Sequence, residues 1–241
     1  MSNTQNVAII IPALNEAHTI GPVVTEIRAL GFDVYVVDDC SNDGTDHVAL
    51  AAGAIVLRMP FATGAWGAIQ AGMLYALKSH AYECFITMDA DGQHRPEFIP
   101  ILLDKLETSP ADVLIGSFPQ RGSAARKLAW KFFSCVTGLR VQDLTSGFRV
   151  YGRNAAEVLM CREAVLFDYQ DLGVLLLLRR MKIDFQEVPV AMCAREDGCS
   201  RIFNSWFSVF SYMLKTCLWI MTDYVSGSKK TTRDWTEYDG I

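Results

Sequence analysis

Apolar residues in the first half of the chain come in short unbroken runs, separated by stretches with the spacing of an amphipathic helix. Residues 7–11 are such a run, the pattern of a strand buried on both faces. Residues 19–30 set Ile20, Val23, Val24, Ile27 and Leu30 along one helical face, and Gly31 ends the stretch. The strand signal returns at residues 34–37, 54–57, 84–88 and 112–115, and residues 43–52, 67–78 and 96–106 read as helices between them. Regular alternation of this kind predicts an α/β fold, a Rossmann-like, doubly wound and mostly parallel sheet. Ligands bind such sheets beyond the carboxyl ends of the strands.

The rhythm changes after Gly116. Residues 123–138 predict a helix in which Arg126, Lys127 and Lys131 stand among Leu128, Trp130, Phe132 and Phe133. Residues 148–151 and 183–190 predict further strands, around helices at 154–161 and 171–181. Residues 203–224 are apolar and aromatic, yet Asn204, Ser208, Ser211 and Lys215 fall on one helical stripe. Phe203, Phe207, Phe210, Leu214, Leu218 and Met221 cover much of the remaining surface. This pattern predicts a C-terminal amphipathic helix lying in a membrane interface, with a core or dimer-interface helix as the alternative. The polar tail, residues 226–241, is expected to fray.

With 51% hydrophobic and 20% charged residues among 241, a large core is within reach and wholesale disorder is excluded. A net charge of −5 argues against a general nucleic-acid binder, whose surface must be basic. The seven cysteines are dispersed without a C-x-x-C pair, which points to reduced, packed thiols. The polar start, Met1 to Asn6, lacks the basic and apolar regions of a signal peptide, so a cytoplasmic chain is expected.

Acidic residues gather where strands are predicted to end. Asn15 and Glu16 follow the first strand, Asp38 and Asp39 end the second, and Asp89 and Asp91 end the fourth. Each has a bland reading, since Asn15 suits a helix cap and Asp43-Gly44 a turn. Brought together along one edge, four or five carboxylates are costly unless a cation or a set of donors faces them. In extended backbone, Asp89 and Asp91 share a side and can grip one hard cation, Mg²⁺ or Mn²⁺. Gln93 and His94 follow at once, able to add an amide oxygen and a supporting imidazole. A dinucleotide-binding dehydrogenase is disfavoured, because Pro12-Ala13-Leu14-Asn15-Glu16 stands where G-x-G-x-x-G would be needed.

Five motifs carry a family resemblance. They are Pro12-x-x-Asn15-Glu16, Val37-Asp38-Asp39-x-Ser41-x-Asp43-Gly44-Thr45, Asp89-Ala90-Asp91-Gly92-Gln93-His94, Gly116-Ser117 and Thr145-Ser146-Gly147-Phe148-Arg149. In order and spacing they resemble the family 2 glycosyltransferases, above all the dolichyl-phosphate mannosyltransferase group and its bacterial polyprenyl-phosphate relatives. Glu187-Val188-Pro189-Val190 and Arg195-x-x-Gly198-x-Ser200-Arg201 resemble that group's later signatures. The likeness implies the GT-A fold and inverting, Mg²⁺- or Mn²⁺-dependent transfer of a hexose from a GDP-mannose or UDP-hexose type donor to a polyprenyl or dolichyl phosphate. A family 2 enzyme acting on a saccharide or small alcohol is the alternative, and a non-catalytic nucleotide-sugar sensor a more remote one.

Carried over residue by residue, the resemblance implies that Pro12, Leu14, Glu16, Val37 and Asp39 cradle base and ribose. It implies that Asp89, Asp91 and Gln93 hold metal and diphosphate, with Ala90 in backbone contact. Arg201 would neutralise the departing diphosphate, while Ser146, Arg149 and Arg126 or Arg121 would serve the acceptor. Asp91, Asp171 and Arg201 are the catalytic candidates. Asp171 or Asp168 would act as base for a sugar hydroxyl, and Asp171 reads equally as a helix N-cap. A phosphate acceptor is already nucleophilic and needs positioning rather than a base.

Departures from the family pattern bear on the outcome. Trp66 stands in the glycine-rich turn, either reshaping the donor pocket or packing on the sheet. Phe118 replaces an arginine, and Gly173 replaces a second acid. One domain is expected over residues 1–225, with a nucleotide-sugar half at 1–117, an acceptor-side half at 118–201 and the interfacial helix at 202–225. The expected setting is the cytoplasmic face of a membrane, as a peripheral protein that admits a homodimer.

Overall fold

The computed structural model describes residues 6–121, 124–167 and 169–193, apart from a few side chains around residues 121–129. Asp168, Arg201 and the helix expected at 203–224 lie outside the described residues, as do the side chains of Arg121 and Arg126. The chain divides into compact units Met1–Gly198 and Cys199–Ile241, and every described residue belongs to the first.

Seven strands and seven helices make up the described unit. The first half runs β1 (Val7–Ala13), α1 (Ile20–Ala29), β2 (Asp33–Asp38), α2 (Thr45–Ala51), β3 (Ile55–Arg58), α3 (Gly64–Ser79) and β4 (Cys84–Thr87). There follow α4 (Phe98–Thr108), β5 (Val113–Ser117), α5 (Ala124–Thr137), β6 (Arg149–Gly152), α6 (Arg153–Val158), α7 (Leu172–Arg180) and β7 (Phe185–Pro189). Every element expected within the described residues is present, displaced by a few residues at its ends.

The strands form one sheet in the order β3-β2-β1-β4-β6-β5-β7. All neighbours run parallel except β6, which is antiparallel to both β4 and β5. This is the α/β, mostly parallel sheet the alternation predicts. Successive side chains of β1 bury on opposite faces, so its unbroken apolar run is explained by cover on both sides. On one face Ile9, Ile11, Val34, Val36, Ile86 and Leu114 meet the apolar stripes of α1 and α4. On the other, α3 lies so close that a Cβ on Gly72 would fall 2.7 Å from the Ile10 side chain and 2.8 Å from Val37. Only glycine permits that approach.

The five described cysteines are free thiols, but only Cys84 is buried and Cys161 half-buried; Cys40, Cys135 and Cys193 are exposed, against the expectation of packed groups. Burial pushes the Cys84 thiol up to about 12, so it stays protonated and inert.

Candidate active site

Sheet order places the carboxyl ends of β2, β1 and β4 side by side. Ala13 pairs with Asp38 across β1–β2, Asp39 N–H donates to Ala13 O at 2.9 Å, and Met88 N–H donates to Ile10 O at 3.1 Å. The acidic segments expected to line one crevice therefore share one edge.

Hydrogen bonds join the first two segments into a single unit. Asn15 N–H donates to Ser41 Oγ at 2.9 Å, Glu16 N–H to Thr45 Oγ1 at 2.8 Å, and Ala17 N–H to Asp43 Oδ2 at 3.0 Å. Asn42 N–H returns the tie to Asn15 Oδ1 at 2.9 Å. Asn15 thus bridges two loops with φ at +54° and does not cap α1, whose cap position is Thr19. The Asp43-Gly44 turn is real, with Gly44 at φ +88° and Asp43 Oδ1 accepting from Thr45 N–H. Desolvation works to raise the Asp43 carboxyl, but the Thr45 hydroxyl and the Ala17 and Thr45 N–H groups outweigh it and hold the group below its ordinary value.

Asp39 also finds its donors within the protein. It is 3% exposed, with Oδ1 accepting from Thr63 N–H at 2.6 Å and Thr63 Oγ1 at 3.0 Å, and Oδ2 accepting from Gly64 N–H at 2.8 Å. Its carboxylate anchors the start of α3, where an anion meets the unpaired N–H groups of a helix. Asp38 accepts from Ser41 N–H. Much of the electrostatic cost expected of the cluster is therefore met by backbone donors, with no cation required at Asp38, Asp39 or Asp43. The Val37 side chain lies in the core beneath α3, while Pro12 is half-buried and Leu14 exposed at the edge. Glu16 is half-buried, its Oε2 accepting from Thr19 Oγ1 at 3.1 Å. A cradle role for Val37 and Asp39 thus rests on backbone and on shape, not on free side chains.

Asp89 and Asp91 differ from these residues. The Asp89 side chain is 41% exposed, Asp91 is partly exposed, and Ala90 between them is buried. Asp91 Oδ1 accepts from Gln93 N–H at 3.1 Å across a turn with Gly92 at φ +73°. His94 supports Asp89 from below, as anticipated. Its buried ring stacks on Phe148 with centroids 5.3 Å apart, and its Nδ1 accepts from Asp89 N–H at 2.9 Å. An accepting Nδ1 puts the proton of the neutral ring on Nε2, which lies 3.6 Å from Asp89 Oδ2.

Among the described residues no three His, Cys, Asp or Glu side chains gather as a metal cluster. The donor set at the edge nevertheless fits Mg²⁺ or Mn²⁺. Two partly exposed carboxylates in the turn just beyond a strand end are the usual protein share of such an ion, the rest coming from phosphate oxygens and water. Gln93, also partly exposed, lies beside them.

The acceptor-side motif is placed differently from expectation. Arg149 is 0% exposed, and its guanidinium donates through Nε to Ser146 O at 2.9 Å and through Nη2 to Leu144 O at 3.0 Å. Ser146 is equally buried, its hydroxyl donating to Gly116 O and accepting from Phe148 N–H. Both side chains thus hold the 144–149 loop in shape, while Arg149 Nη1 is buried without a hydrogen-bond partner among the described residues. Glu187 completes the clamp, accepting from Gln142 N–H at 2.9 Å and Asp143 N–H at 2.8 Å. Burial pushes its carboxyl above the ordinary value, although those N–H groups and Arg149 pull the other way.

The clamped loop delivers Gly147 against Asp89. A Cβ on Gly147 would fall 2.5 Å from Asp89 Oδ1. Thr87 Oγ1 donates to Gly147 O at 2.7 Å and accepts from Gln170 Nε2 at 2.8 Å; Gln170 also bonds the Tyr151 hydroxyl. Gln170 and Thr87 gave no signal in the sequence, whereas Gly147 and Glu187 stood inside motifs without an assigned role.

Asp171 is 8% exposed at the N-cap of α7, where Oδ1 accepts from Gly173 N–H at 3.2 Å. The capping alternative is the one this geometry displays. Gly173 has a steric reason to lack an acidic side chain, because a Cβ there would meet the Phe167 ring at 2.8 Å. Trp66 packs rather than lining a pocket, being fully buried with Nε1 donating to Ala164 O at 2.7 Å.

An α/β, mostly parallel sheet of this order, with a D-x-D segment beyond the carboxyl end of β4, is the architecture of the GT-A class. Residues 8–159 match the sequence model of Glycosyl transferase family 2, and the chain belongs to that family of glycosyltransferases. It is similar to polyprenol monophosphomannose synthase of Mycolicibacterium smegmatis, 30% identical over 238 residues, 90% of this chain and 87% of that protein. It is likewise 30% identical over 215 residues to undecaprenyl-phosphate mannosyltransferase of Micrococcus luteus, covering 81% of this chain and 87% of the other. Among solved structures, glucosyl-3-phosphoglycerate synthase from Mycobacterium tuberculosis, in complex with Mn²⁺, UDP and phosphoglyceric acid, superposes with a TM-score of 0.68. That match covers 90% of this chain and 78% of the other at 20% identity, and it speaks to the fold.

Proposed function

We propose that this enzyme transfers a hexose, with inversion, from a GDP-mannose or UDP-hexose type donor to a polyprenyl or dolichyl phosphate, in a reaction dependent on Mg²⁺ or Mn²⁺. The observation that carries the reading is the contrast among carboxylates. Asp89 and Asp91 keep open surface at the sheet edge, while Asp171, the candidate base, is buried and spent on a helix cap. A site that stabilises a departing diphosphate, and whose one described base candidate is buried at a helix cap, suits an acceptor that is already an anion. The named activities of the two mannosyl-transferring relatives support the same acceptor class.

In this reading Asp89, Asp91 and Gln93 hold the metal beside the diphosphate, and His94 and Gly147 fix the Asp89 carboxylate. The metal when bound supplies charge neutralisation for the leaving group. Arg201, at the family's late basic position, adds a fixed positive charge. An acceptor phosphate oxygen forms the new bond to the anomeric carbon as the bond to the diphosphate breaks on the opposite face. Residues 202–225 would rest in the bilayer surface and bring the site to a lipid-borne acceptor, as a peripheral protein on the cytoplasmic face. Among the described residues no helix is long and apolar enough to cross a membrane.

The test is a screen of nucleotide-sugars for metal-dependent binding, followed by transfer to short polyprenyl phosphates. Chelation and Asp91→Ala are each expected to abolish transfer, with added Mg²⁺ or Mn²⁺ restoring the chelated enzyme alone. Transfer to saccharides or small alcohols in place of polyprenyl phosphate would overturn the acceptor, and full activity of Asp91→Ala in chelator would overturn the metal site.

A further inference from the structure

Thr87 closes β4 two residues before Asp89, and the backbone pairing of β4 with β6 ends there, at Thr87–Arg149. Beyond that point the Thr87 side chain takes over from the backbone, its Oγ1 donating to Gly147 O at 2.7 Å. A threonine hydroxyl has one proton, and Gly147 receives it. Any other group facing Thr87 Oγ1 must therefore donate. Gln170 Nε2 does so at 2.8 Å, and its second N–H goes to the Tyr151 hydroxyl. Thr87 and Tyr151 are fully buried, and Gln170 is 8% exposed.

This orientation leaves Gln170 Oε1 buried with no hydrogen-bond partner among the described residues. Turning the amide over would offer Oε1 the Tyr151 proton. It would also set Oε1 against Thr87 Oγ1, two acceptors face to face while the Thr87 proton stays on Gly147. A buried carbonyl without a donor is unfavourable, and the arrangement that keeps it is the one that holds the Thr87 proton on Gly147. Gln170 is itself fixed by its neighbour in sequence, Asp171, which caps α7.

The Gly147 carbonyl is the part of the 144–149 loop that the clamp leaves to Thr87. The bonds of Arg149, Ser146 and Glu187 take the carbonyls of Leu144 and Ser146 and the N–H groups of Gln142, Asp143 and Phe148. We propose that Gln170 is a positioning residue for the metal-binding carboxylate of Asp89. By donating to Thr87 it directs the Thr87 proton to Gly147 O, and so seats Gly147 against Asp89, in the approach that would put a Cβ 2.5 Å from Asp89 Oδ1. Gln170 acts through Thr87 and Gly147, not by touching donor or acceptor, and its role rests on the reading of Asp89 as a metal ligand.

Mn²⁺ binding to the full chain is measured with GDP and, separately, with UDP present, from the loss of the free-ion signal in electron paramagnetic resonance. Thermal melting is the control for folding. Gln170→Met keeps the length of the side chain and removes both donors, and Thr87→Val keeps the shape and removes the hydroxyl. Each is expected to weaken Mn²⁺ binding about tenfold, and the double variant no further than Thr87→Val alone, because both act through one hydroxyl. Tyr151→Phe, which changes the other partner of Gln170, should bind Mn²⁺ within about twofold of the unmodified chain. Should Gln170→Met fail to fold, Gln170→Asn, one methylene too short to reach Thr87, takes its place in the same comparison. The positioning role is overturned if the Gln170 variant melts earlier yet binds Mn²⁺ as the unmodified chain does while Asp89→Ala loses binding. It is equally overturned if the losses multiply to about a hundredfold in the double variant, or if Tyr151→Phe loses as much as Gln170→Met. Undiminished Mn²⁺ binding by Asp89→Ala, or none by the unmodified chain with either nucleotide, would overturn the metal reading itself and this role with it.

Discussion

Gly147→Ala isolates the contact between the acceptor-side loop and the D-x-D pair. The backbone at Gly147 does not lie in the left-handed region, so alanine can adopt it and the added methyl is the whole perturbation. That methyl would stand 2.5 Å from Asp89 Oδ1, 2.8 Å from Oδ2 and 2.9 Å from the carboxylate carbon. Carbon and oxygen normally approach to about 3.3 Å, so the carboxylate must retreat by about 0.8 Å. Its 41% exposure leaves room on the crevice side, which puts the stability cost at about 1 kcal/mol, the low end for overpacking, and about 2–4 °C in Tm. A catalytic group misplaced by this much loses about a hundredfold in turnover. Initial rates across a range of Mn²⁺ concentrations read the effect, with thermal melting as the control for folding. In an Asp89→Ala background the same substitution should add little, because its route through Asp89 is already closed. Turnover and metal dependence equal to those of the unmodified enzyme would refute the claim that Gly147 sets the Asp89 carboxylate.

Asp39→Ala removes the three hydrogen bonds that anchor α3 and should destabilise the fold by about 2 kcal/mol, read as a lower denaturant midpoint at unchanged slope. Asp171→Asn keeps an oxygen for the Gly173 N–H and should leave stability and transfer to a phosphate acceptor within about fivefold; a loss of a hundredfold or more would make Asp171 a base. Glu187 titrates above its ordinary value, so the folded chain binds more protons than the unfolded one between the two values. Its contribution to stability therefore falls as pH rises through that window, and melting curves of Glu187→Gln should lack this fall. An identical pH slope in the variant would remove Glu187 as its source.

Much of the framework was legible along the chain. A parallel strand buried on both faces must be apolar throughout, and the helices that cover it must carry an apolar stripe, so β1, β2 and α1 announce themselves locally. The place of Asp89 and Asp91 beyond the fourth strand was legible too, although β4 ends at Thr87 and the pair stands in a turn, not in the extended backbone the alternation assumed. The direction of β6 was not legible, because side-chain period is the same for parallel and antiparallel strands. Nor could the role of each acid be read. Asp39 and Asp89 both follow strand ends, and what separates them is the company that the fold brings.

Sequence alone determined the sheet-and-helix order, the edge where chemistry sits and, through its motifs, the glycosyltransferase family. Tertiary structure decided which polar groups remain available at that edge. Thr63 reaches Asp39, Gly173 binds the Asp171 cap, and Leu144 and Ser146 hold two arms of Arg149, while Asp89 and Asp91 keep part of their surface exposed. A carboxylate or guanidinium has the same formula wherever it stands in the chain. Its chemistry depends on whether backbone groups, some of them distant in sequence, have already taken its hydrogen bonds, and only the folded backbone brings those groups within reach.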